Sequence, residues 1–554
     1  MAKLSDRIGM NKTKSIAPHL VIEARAGTGK TTTLIEGLKY VMGGESSMVP
    51  SSQQSAIWHA MMPDFQAGEK PPGTVCFCAF NSSIAAELKA RVPEGCEAMT
   101  MHSMGYRAVR RAFPSIGRVN KDRVQAIIAE ILRCDVKTLR YQRRGFVEAV
   151  KDLVDLCKMN LYNPDAPVLL CPGQDPLADL ASYYDIDLNG NSSEVFDLVP
   201  RVLERCKDVE RDRCCDFSDM IWLPVVLGLN IFKYDLLLID EFQDCNRCQH
   251  SLAKMCGDRL ILCGDPRQSI YGFAGADSQS MSRMEEELRA TDRGCLHLPL
   301  TVTRRCGKAI VEEAKKIVPD FEAFETNPEG KILRLSMKTS RERGSQCEHV
   351  YGADNVCQRC GETAGYRSAV ADGDMILCRC NAPLVSECFK FLRAGRRADI
   401  QGRKIGQGLI STVTRLCNPR DPADVPVELL LMWLDDWLLS EQKKERAKRH
   451  PSDQKLISLQ DRHACLACFA DEVKTAAGVI GKIESVFTDE SRGGIKLSSV
   501  HKAKGLEARR VFILLPKEAP MPHPLARSPW EKEQELNLKY VAITRAIEEL
   551  VWVS

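Results

Sequence analysis

The sequence lacks long hydrophobic runs. Its 554 residues contain no stretch of about 18 consecutive apolar residues, so the sequence predicts no membrane-spanning helix. The first segment, MAKLSDRIGMNKTK, lacks the apolar core of a signal peptide. Both absences predict a cytoplasmic protein that has no membrane partner.

A large excess of one charge is also missing. The 77 Lys and Arg residues stand against 74 Asp and Glu residues, which gives a net charge of +3. This balance does not indicate a nucleic-acid binder by composition. Any nucleic-acid surface therefore has to arise from the local placement of basic residues.

A disulfide pattern is not evident, despite 24 cysteines. Many of the cysteines lie inside apolar stretches, for example Cys76, Cys78 and Cys263. Scattered thiols of this kind are typical of buried residues in a reducing compartment. The 44% of hydrophobic and 27% of charged residues fit an ordinary globular protein, and the length predicts several domains.

Short apolar strands alternate with amphipathic helices in two successive sets, which predicts α/β domains with parallel sheets. The strands of the first set are predicted at 20–24, 75–79, 236–240 and 260–265, with a helix at 82–91. Those of the second set are predicted at 331–335, 375–379, 495–500 and 511–515, with helices near 382–394 and 534–548. A helical stretch interrupts each set.

These interruptions lead to a prediction of domain boundaries. The first α/β domain is predicted to comprise residues 1–117 and 211–298, with a helical insertion at 118–210. The second is predicted to comprise 299–400 and 491–554, with a reduced accessory domain at 401–490. The accessory segment contains LLLMWLDDWLL (429–439) and the basic run KKERAKRH (443–450). We interpret it as an amphipathic helix with a solvated charged end, although a nucleic-acid contact there stays open.

A glycine-containing loop follows the first predicted strand, in HLVIEARAGTGKTTTL (19–34). Ala24 occupies the first glycine position of a phosphate-loop spacing, and Gly29, Lys30 and Thr31 follow at the expected positions. In such a loop the backbone amides bind phosphates, the Lys reaches the β- and γ-phosphates, and the Thr hydroxyl helps to hold Mg²⁺. The sequence therefore predicts a site for a nucleoside triphosphate and Mg²⁺, with contacts from Ala24, Gly27, Thr28, Gly29, Lys30, Thr31 and Thr32.

An acidic pair ends another apolar strand, in YDLLLIDEFQD (234–244). Asp240 and Glu241 beside a phosphate loop suit one Mg²⁺ contact and one base for the attacking water. Further on, Gln268 follows a strand and is placed to sense the γ-phosphate. Tyr271 and Phe273 lie on the next loop, where an aromatic ring can stack on a nucleic-acid base. A lone Phe at such a position is more often a core residue.

Polar side chains also follow strands in FNSSIAAELKARV (80–92) and TMHSMGY (100–106). Their hydroxyl, amide and imidazole groups suit contacts to a phosphodiester backbone. Asn81, Thr100 and His102 are the candidates. A lone His is more often a structural residue.

Three later segments carry basic residues near predicted strand or helix ends. TRRCGKAI (303–310) contains Arg305, SSVHKAKGLEARRV (498–511) contains His501 and Lys504, and LNLKYVAITRA (536–546) contains Arg545. Arginines supplied by a second domain stabilise the charge that develops on the γ-phosphoryl oxygens, an effect of about 10³–10⁵ in rate. We therefore predict catalytic roles for Arg305 and Arg545.

Taken in order, these segments resemble the motifs of superfamily 1 helicases of the UvrD/Rep type. The series, which spans residues 20–550, is ARAGTGKT, AFNSSIAAEL, TMHSMG, DFSDM, DEFQD, GDPRQSIYGFAGA, TRRC, SSVHKAKGLE and YVAITRA. The resemblance implies two RecA-like parallel-sheet domains with helical insertions, of the P-loop NTPase class. It also implies ATP and Mg²⁺ as cofactors and 3′→5′ movement on single-stranded DNA. The segment FAGA (273–276) is most similar to phage-encoded members, whose location is the host cytoplasm.

The resemblance also implies roles by motif position. Nucleotide roles fall on Lys30, Thr31, Asp240, Glu241, Gln268, Arg305, Glu507 and Arg545. DNA contacts fall on Phe80, Asn81, His102, Phe273 and His501, to which we add Thr100, Tyr271 and Lys504. The expected partners are single-stranded DNA and duplex junctions, with replication or repair proteins.

Three positions depart from the family pattern. No Gln precedes the phosphate loop in residues 1–23, where the family reads adenine, so we assign that role to Gln53 or Gln54. Arg304 stands where the family has a Tyr that stacks on the base, and a guanidinium plane also stacks. Ala274 replaces an Arg after the aromatic residue, so we expect one DNA or phosphate contact fewer.

One cluster lies outside the helicase pattern, in CEHVYGADNVCQRCG (347–361). Cys347, His349, Cys357 and Cys360 are four ligands that suit tetrahedral Zn²⁺. We predict a zinc-binding insertion with a structural role, because four protein ligands leave no open position. The alternative is four unrelated loop residues.

The motifs together predict an ATP-dependent DNA helicase or translocase that moves 3′→5′ on single-stranded DNA and unwinds duplex. An RNA-directed motor is one alternative. Another is an ATP-gated DNA-remodelling or recruitment module that translocates or binds without unwinding. No nuclease-like carboxylate cluster is evident, which argues against a helicase–nuclease. Because segment 401–490 is shorter than the family's accessory domain, we expect strand separation to be less tightly controlled.

Overall fold

The structure is a computed structural model, and it divides into two compact units. It describes residues 16–46, 48–63, 72–79, 81–163, 176–183, 186, 188, 192–270, 279–337, 357–359, 365–401, 403–447, 453–488, 493–517, 519–524, 526 and 529–554. The first unit contains the described residues up to Arg25 together with Gly29–Thr301. The second contains Ala26–Thr28 and Val302–Ser554.

The first unit is built on a parallel sheet. Its strands are β1 (His19–Ala24), β2 (Val75–Ala79), β3 (Cys96–Thr100), β4 (Arg118–Val119), β5 (Cys214–Cys215), β6 (Tyr234–Ile239), β7 (Gly257–Gly264) and β8 (Cys295–Leu300). Six of them form one sheet in the order β3-β2-β6-β7-β1-β8, and every pair in it is parallel. β4 and β5 form a separate parallel pair. Parallel strands need crossover connections, which the helices provide.

Thirteen helices are described in this unit. They are α1 (Lys30–Val41), α2 (Ser52–Met61), α3 (Ser82–Lys89), α4 (Met101–Ala112), α5 (Arg123–Ile131), α6 (Val136–Gln142), α7 (Arg144–Asn160), α8 (Pro176–Tyr183), α9 (Ser192–Cys206), α10 (Val209–Asp212), α11 (Asp219–Val226), α12 (Arg247–Cys256) and α13 (Ser280–Arg289). Short 3₁₀ turns lie at Phe242–Asp244 and Pro266–Gln268. The segment predicted as a helical insertion thus contains α5–α9 and the start of α10.

Successive residues of the central strands enter two different hydrophobic cores. In β6, Leu236 and Leu238 belong to the core that also contains residues of α1 and α2. Leu237 and Ile239 belong to the core shared with α4, α7, α9 and α12. Side chains alternate between the faces of a strand, so a strand covered on both faces is apolar throughout. This explains the uninterrupted apolar run that marked β6 in the sequence.

The second unit has a seven-stranded sheet. The strands of this unit are β9 (Val302–Thr303), β10 (Glu322–Ala323), β11 (Lys331–Leu335), β12 (Met375–Cys378), β13 (Ala398–Gln401), β14 (Phe487–Thr488), β15 (Ile495–Ser499), β16 (Ala508–Leu514) and β17 (Ala546–Val553). The order is β11-β17-β16-β12-β15-β13-β14, again with parallel pairs. β9 and β10 form a separate parallel pair. The predicted α/β class with two parallel sheets is confirmed.

Helices cover this second sheet as well. They are α14 (Lys308–Lys315), α15 (Asn381–Arg393), α16 (Arg403–Cys417), α17 (Val427–Arg446), α18 (Asp453–Phe469), α19 (Ala476–Val486) and α20 (Pro529–Ile543). Residues of α15–α19 share one core with residues of β12, β13, β15 and β16. The predicted accessory segment therefore packs on the sheet of its own unit, and its role as a separate domain stays a prediction.

The helix predicted near 534–548 is wrong at its C-terminal end. α20 ends at Ile543, and Ala546–Val553 forms the strand β17. β17 pairs with β16 on one side and β11 on the other, with Val551 opposite Phe512. Its β-branched and aromatic residues suit a buried strand, which overrides the helical pattern that precedes it.

Within the described ranges, no helix is long and apolar enough to cross a membrane.

Candidate nucleotide site and nucleic-acid contacts

The phosphate loop lies between β1 and α1. Gly29 has a left-handed backbone (φ 79°), and α1 begins at the next residue, Lys30. Gly27 also has a positive φ of 69°. Glycine adopts such angles without the steric cost that other residues have. No side-chain hydrogen bond caps α1 at Gly29, and the helix geometry orients its first amides as donors for an anion.

The acidic pair follows β6 and meets this loop. Thr31 Oγ1 donates a hydrogen bond to Asp240 Oδ2 at 2.5 Å, and Lys30 Nζ lies 3.2 Å from Glu241 Oε2. The contact arises because β1, β7 and β6 are neighbouring parallel strands whose carboxyl ends share one edge of the sheet. The two adjacent acids therefore have different neighbours. Asp240 lies beside the hydroxyl predicted to hold Mg²⁺, and Glu241 lies beside the ammonium predicted to reach the phosphates.

The charges at this edge influence each other strongly. Burial and the neighbouring Glu241 raise the pKa of Asp240 to about 6, although Lys30 and the Thr31 hydroxyl oppose the shift. Burial lowers the pKa of Lys30, but Glu241, Asp265 and Asp240 together raise it above its usual value. A carboxyl group whose negative charge is disfavoured in this way is suited to a cation. The oxygen donors of Thr31 and Asp240 are of the type that Mg²⁺ prefers.

Gln268 lies in the 3₁₀ turn that follows β7, at the same edge of the sheet. Its side-chain Nε2 donates to Asp265 Oδ2 at 2.7 Å, and its backbone N–H donates to the backbone carbonyl oxygen of Asp265 at 2.8 Å. Burial raises the pKa of the Asp265 carboxyl group. The sheet thus brings five predicted nucleotide residues to one edge: Lys30, Thr31, Asp240, Glu241 and Gln268.

The two glutamines to which the sequence analysis assigned the adenine contact, Gln53 and Gln54, lie on α2. Gln53 exchanges two hydrogen bonds with Thr301, at 2.9 and 3.0 Å. Gln54 forms a capping box with Ser51 and also donates to the Thr33 hydroxyl at 2.9 Å. Both amides are therefore bonded inside the first unit, and their assignment to adenine stays a prediction.

The second unit contains three of the predicted nucleotide residues: Arg305, Glu507 and Arg545. Arg305 Nε lies 2.6 Å from Glu507 Oε2. The buried Arg545 donates to the carbonyl oxygens of Val541 (3.0 Å) and Leu506 (3.1 Å). These bonds explain how a guanidinium group can be buried near the end of α20. The catalytic roles of both arginines stay predictions.

Arg304 is exposed and lies over an aromatic ring of its own unit. Its guanidinium carbon lies 4.0 Å from the centre of the Phe324 ring. A guanidinium cation at this distance from an aromatic face is attracted to the ring. The predicted contact to a base stays a prediction.

Two predicted DNA contacts of the first unit cap helices. The side-chain oxygen of Asn81 accepts from the amide of Ile84 at 2.9 Å at the start of α3. Thr100 accepts from the amide of Ser103 at 3.1 Å at the start of α4. Both residues are therefore held at the ends of β2 and β3, where the polar strand-end pattern indicated them.

His102 stacks on a residue that the sequence analysis did not single out. Its ring and that of Phe217 are 4.0 Å apart between centres and tilted by 25°. Phe217 is 60% exposed, unusual for an aromatic side chain. Burial lowers the pKa of His102 to about 4, so the imidazole is neutral near pH 7. The sequence signal for Phe217 was its position inside DFSDM, one of the segments in the motif series.

The second unit carries further predicted contacts at the carboxyl end of β15. Burial and Arg379 lower the pKa of His501 to about 3. Lys504 lies three residues further on and is partly exposed. Asn381, which the sequence analysis did not single out, follows the neighbouring strand β12, and among the described residues its buried Oδ1 has no hydrogen-bond partner. A polar atom of that kind at a strand end is a candidate for a ligand contact.

Several predicted residues lie outside the described part of the chain. They are Phe80, Tyr271, Phe273, Cys347, His349 and Cys360, as well as Ala274. Of the predicted zinc ligands only Cys357 is described, and it is buried. The residues that the structure describes contain no group of three or more His, Cys, Asp or Glu side chains that could hold a metal ion.

Comparison with known proteins agrees with the motif series. Residues 9–289 match the UvrD/REP helicase N-terminal domain, and residues 471–554 match the UvrD-like helicase C-terminal domain. The ATP-dependent DNA helicase PcrA of Staphylococcus epidermidis is 25% identical over 293 residues, 48% of this chain and 34% of the relative. PcrA of Staphylococcus aureus matches with the same identity and the same coverage.

The match thus spans about a third of the length of these curated relatives. The N-terminal family match by itself covers more than half of the chain. The chain belongs to the UvrD/REP helicase family.

Proposed function

We propose that this protein is an ATP-dependent DNA helicase or translocase that moves 3′→5′ on single-stranded DNA and unwinds duplex. The observation that carries the proposal is the arrangement at the edge of the first sheet. There, Thr31 bonds Asp240 and Lys30 pairs with Glu241. The name of the PcrA relatives and the family membership support the same activity.

The residues at this edge fit ATP and Mg²⁺. The free amides at the start of α1 and the Lys30 ammonium would hold the phosphates, and Thr31 with Asp240 would hold Mg²⁺, which supplies charge neutralisation when bound. Glu241 would accept the proton of the attacking water at a carboxylate oxygen. Gln268, bonded to Asp265, would respond to the γ-phosphate.

Contacts to single-stranded DNA are supported in the first unit by the His102–Phe217 stack. An exposed ring of this kind suits base stacking, which tolerates any sequence. Asn81 and Thr100 would contribute at the neighbouring strand ends. In the second unit, the partly exposed Lys504 is the candidate for a phosphate contact.

An ATP-gated DNA-remodelling or recruitment module is the second candidate function. The nucleotide-site geometry supports ATP hydrolysis in both cases, and it does not distinguish translocation from unwinding. The short accessory segment favours looser control of strand separation. Displacement of a duplex strand separates the two functions, because only the helicase unwinds.

The test is displacement of a labelled strand from 3′-tailed and 5′-tailed duplexes, with Lys30→Ala as control. We expect ATP-dependent unwinding of the 3′-tailed duplex alone, lost in the variant. DNA-stimulated ATP hydrolysis without displacement from either duplex would support the remodelling module. Unwinding of the 5′-tailed duplex alone would contradict the proposed polarity.

We further propose a structural zinc site at 347–361, supported by the ligand types and spacing in the sequence. Purified protein should contain about one zinc ion per chain, and Cys357→Ser should lose it. The exposed Cys134 offers a matched Cys134→Ser control. Equal zinc content in all three proteins, or none in the wild type, would contradict the site.

The origin, location and protein partners of this protein are proposed from the sequence alone. A phage origin, and with it the host cytoplasm as location, is supported by the FAGA segment. Replication or repair proteins as partners are supported by family membership. Both remain proposals.

A further inference from the structure

The hydrogen bonds of Gln243 join two parts of the candidate nucleotide site. Gln243 lies in the 3₁₀ turn after the acidic pair and is 1% exposed. Its Nε2 donates to Glu241 Oε2 at 2.6 Å, and its Oε1 accepts from the amide of Asp265 at 2.8 Å. A longer contact runs from Nε2 to Asp244 Oδ2 at 3.3 Å.

We propose that Gln243 is a positioning residue for ATP hydrolysis. It holds the Glu241 carboxylate in the orientation in which this group takes the proton of the attacking water. It also ties that orientation to the turn that carries Gln268. The inference rests on the proposed function and adds to it a residue that acts through the base.

The backbone of Glu241 supports a need for such a holder. Glu241 has φ 54° and ψ 39°, a left-handed conformation that residues other than glycine rarely adopt. Such strain persists only where the surroundings hold the residue in place. The Gln243 amide bonds the Glu241 side chain across this strained turn.

The donor's lack of charge matters for the chemistry. Lys30 Nζ also approaches Glu241 Oε2, at 3.2 Å. An ammonium group stabilises the ionised carboxylate and so weakens it as a base, whereas a neutral amide orients it at a smaller cost in basicity. If Lys30 turns to the phosphates, as its predicted role requires, Gln243 is the neutral donor that still holds Glu241.

The other end of Gln243 reaches the sensor turn. Asp265, whose amide bonds Gln243, accepts the side chain of Gln268 at 2.7 Å. β7 ends at Gly264, where a Cβ atom would lie 3.0 Å from the amide nitrogen of Gln243. The two turns therefore approach as closely as a glycine allows. A shift of Gln268 is transmitted through Asp265 and Gln243 to Glu241.

The test compares Gln243→Leu, Gln243→Glu and the matched control Gln249→Glu in steady-state ATP hydrolysis with saturating single-stranded DNA. Gln243→Leu removes both hydrogen bonds. Gln243→Glu keeps the acceptor for the Asp265 amide and replaces the donor by a second negative charge next to Glu241. Gln249 caps α12 through an oxygen that accepts from Asn246, and a Glu keeps that acceptor.

For both Gln243 variants we expect kcat to fall at least about tenfold while the KM for ATP stays within about threefold. The Gln249→Glu control should match the wild type. The near-isosteric Gln243→Glu answers the question if Gln243→Leu does not fold, and thermal melting reports folding for each variant. Unchanged kcat, or a loss of kcat that follows a loss of folded protein, would overturn the inference. A wild type without ATP hydrolysis would overturn the proposed function as well, whereas active wild type with equally active variants overturns the inference alone.

Discussion

Phe217 carries an exposed ring on a turn that buried charges hold in place. The carboxylate of Asp216 accepts from the amide of Asp219 (2.7 Å) and the hydroxyl of Ser218 (2.9 Å), and Lys158 contacts both acids at 2.7 Å. The ring is thus presented by a rigid support. Because the ring is already held in place, less conformational entropy is lost when a base stacks on it.

Replacing Phe217 should weaken binding of single-stranded DNA. Phe217→Ala removes one stacking surface, so affinity for an oligothymidine should fall by about 5- to 150-fold, from about 1–3 kcal/mol per stacked base. Fluorescence anisotropy of a labelled oligonucleotide measures it. The control is Phe232→Ala, which removes an exposed ring two residues before the start of β6. Equal affinities for wild type and Phe217→Ala would refute the stacking role.

Replacing Lys158 should destabilise the first unit. Lys158 is 1% exposed, and Lys158→Met leaves Asp216 and Asp219 with less positive charge around them. Removing one partner of a buried ion pair costs about 3–5 kcal/mol. Urea unfolding followed by circular dichroism measures the change.

An exposed pair of the same type is the control. Lys207 contacts Glu204 on the surface, and such pairs contribute about 0–1 kcal/mol. Lys207→Met should therefore change the free energy of unfolding little. A Lys158→Met variant as stable as Lys207→Met would contradict the assignment of the buried cluster as a structural centre.

At the scale of elements, β8 and α13 are joined to the strand before the phosphate loop by one histidine. His297 on β8 contacts Glu285 of α13 at 2.8 Å and Glu23 of β1 at 3.4 Å, and Arg25 contacts Glu23 at 2.8 Å. The hydrogen bond with Glu23, and then Glu285, raises the pKa of His297 to about 9 despite burial. The His297 hydrogen bond is the main cause that lowers the pKa of Glu23 to about 2.

These shifts predict a pH window for stability. The raised pKa of His297 stabilises the fold fully below pH 6.5, and this contribution is lost as the pH rises through about 9. The lowered pKa of Glu23 stabilises the fold above pH 4.5, and this contribution is lost as the pH falls through about 2. The contribution of the pair is therefore largest between pH 4.5 and 6.5.

The variant His297→Gln should reveal this window. Its free energy of unfolding should lie below that of the wild type at pH 6.5 and approach it above pH 9, in urea titrations at each pH. The variant His59→Gln, at an exposed position on α2, is the control. A difference between wild type and His297→Gln that stays constant with pH would contradict a protonated His297.

At the scale of the whole molecule, nucleotide binding should stabilise the folded chain. A ligand that binds only the folded state at about one hundred times its Kd adds about 2.7 kcal/mol to the free energy of unfolding. Scanning calorimetry with and without ADP and Mg²⁺ measures the effect, and Lys30→Ala should abolish most of it. Because the chain has two compact units, more than one transition is expected. No shift in any transition of the wild type would contradict nucleotide binding.

The sequence by itself determined the α/β class and the positions of the strands that form apolar runs, because both depend on local patterns. The apolar run 75–79, for example, is a strand with the predicted bounds, since a strand buried on both faces has to be apolar throughout. The phosphate loop and the acidic pair could also be recognised from short contiguous segments of the sequence. The helix predicted near 534–548 extended into the start of β17, because the strand identity of Ala546–Val553 comes from pairing with β16 and β11.

Only the tertiary structure decided which remote residues meet. The strand order puts β7 between β1 and β6, and so brings Thr31 to Asp240 and Gln243 to Asp265. The His102–Phe217 stack arises in the same way, from α4 and a turn more than a hundred residues later in the chain. Such contacts depend on sheet order and packing, which hydrophobic periodicity along a single chain does not encode.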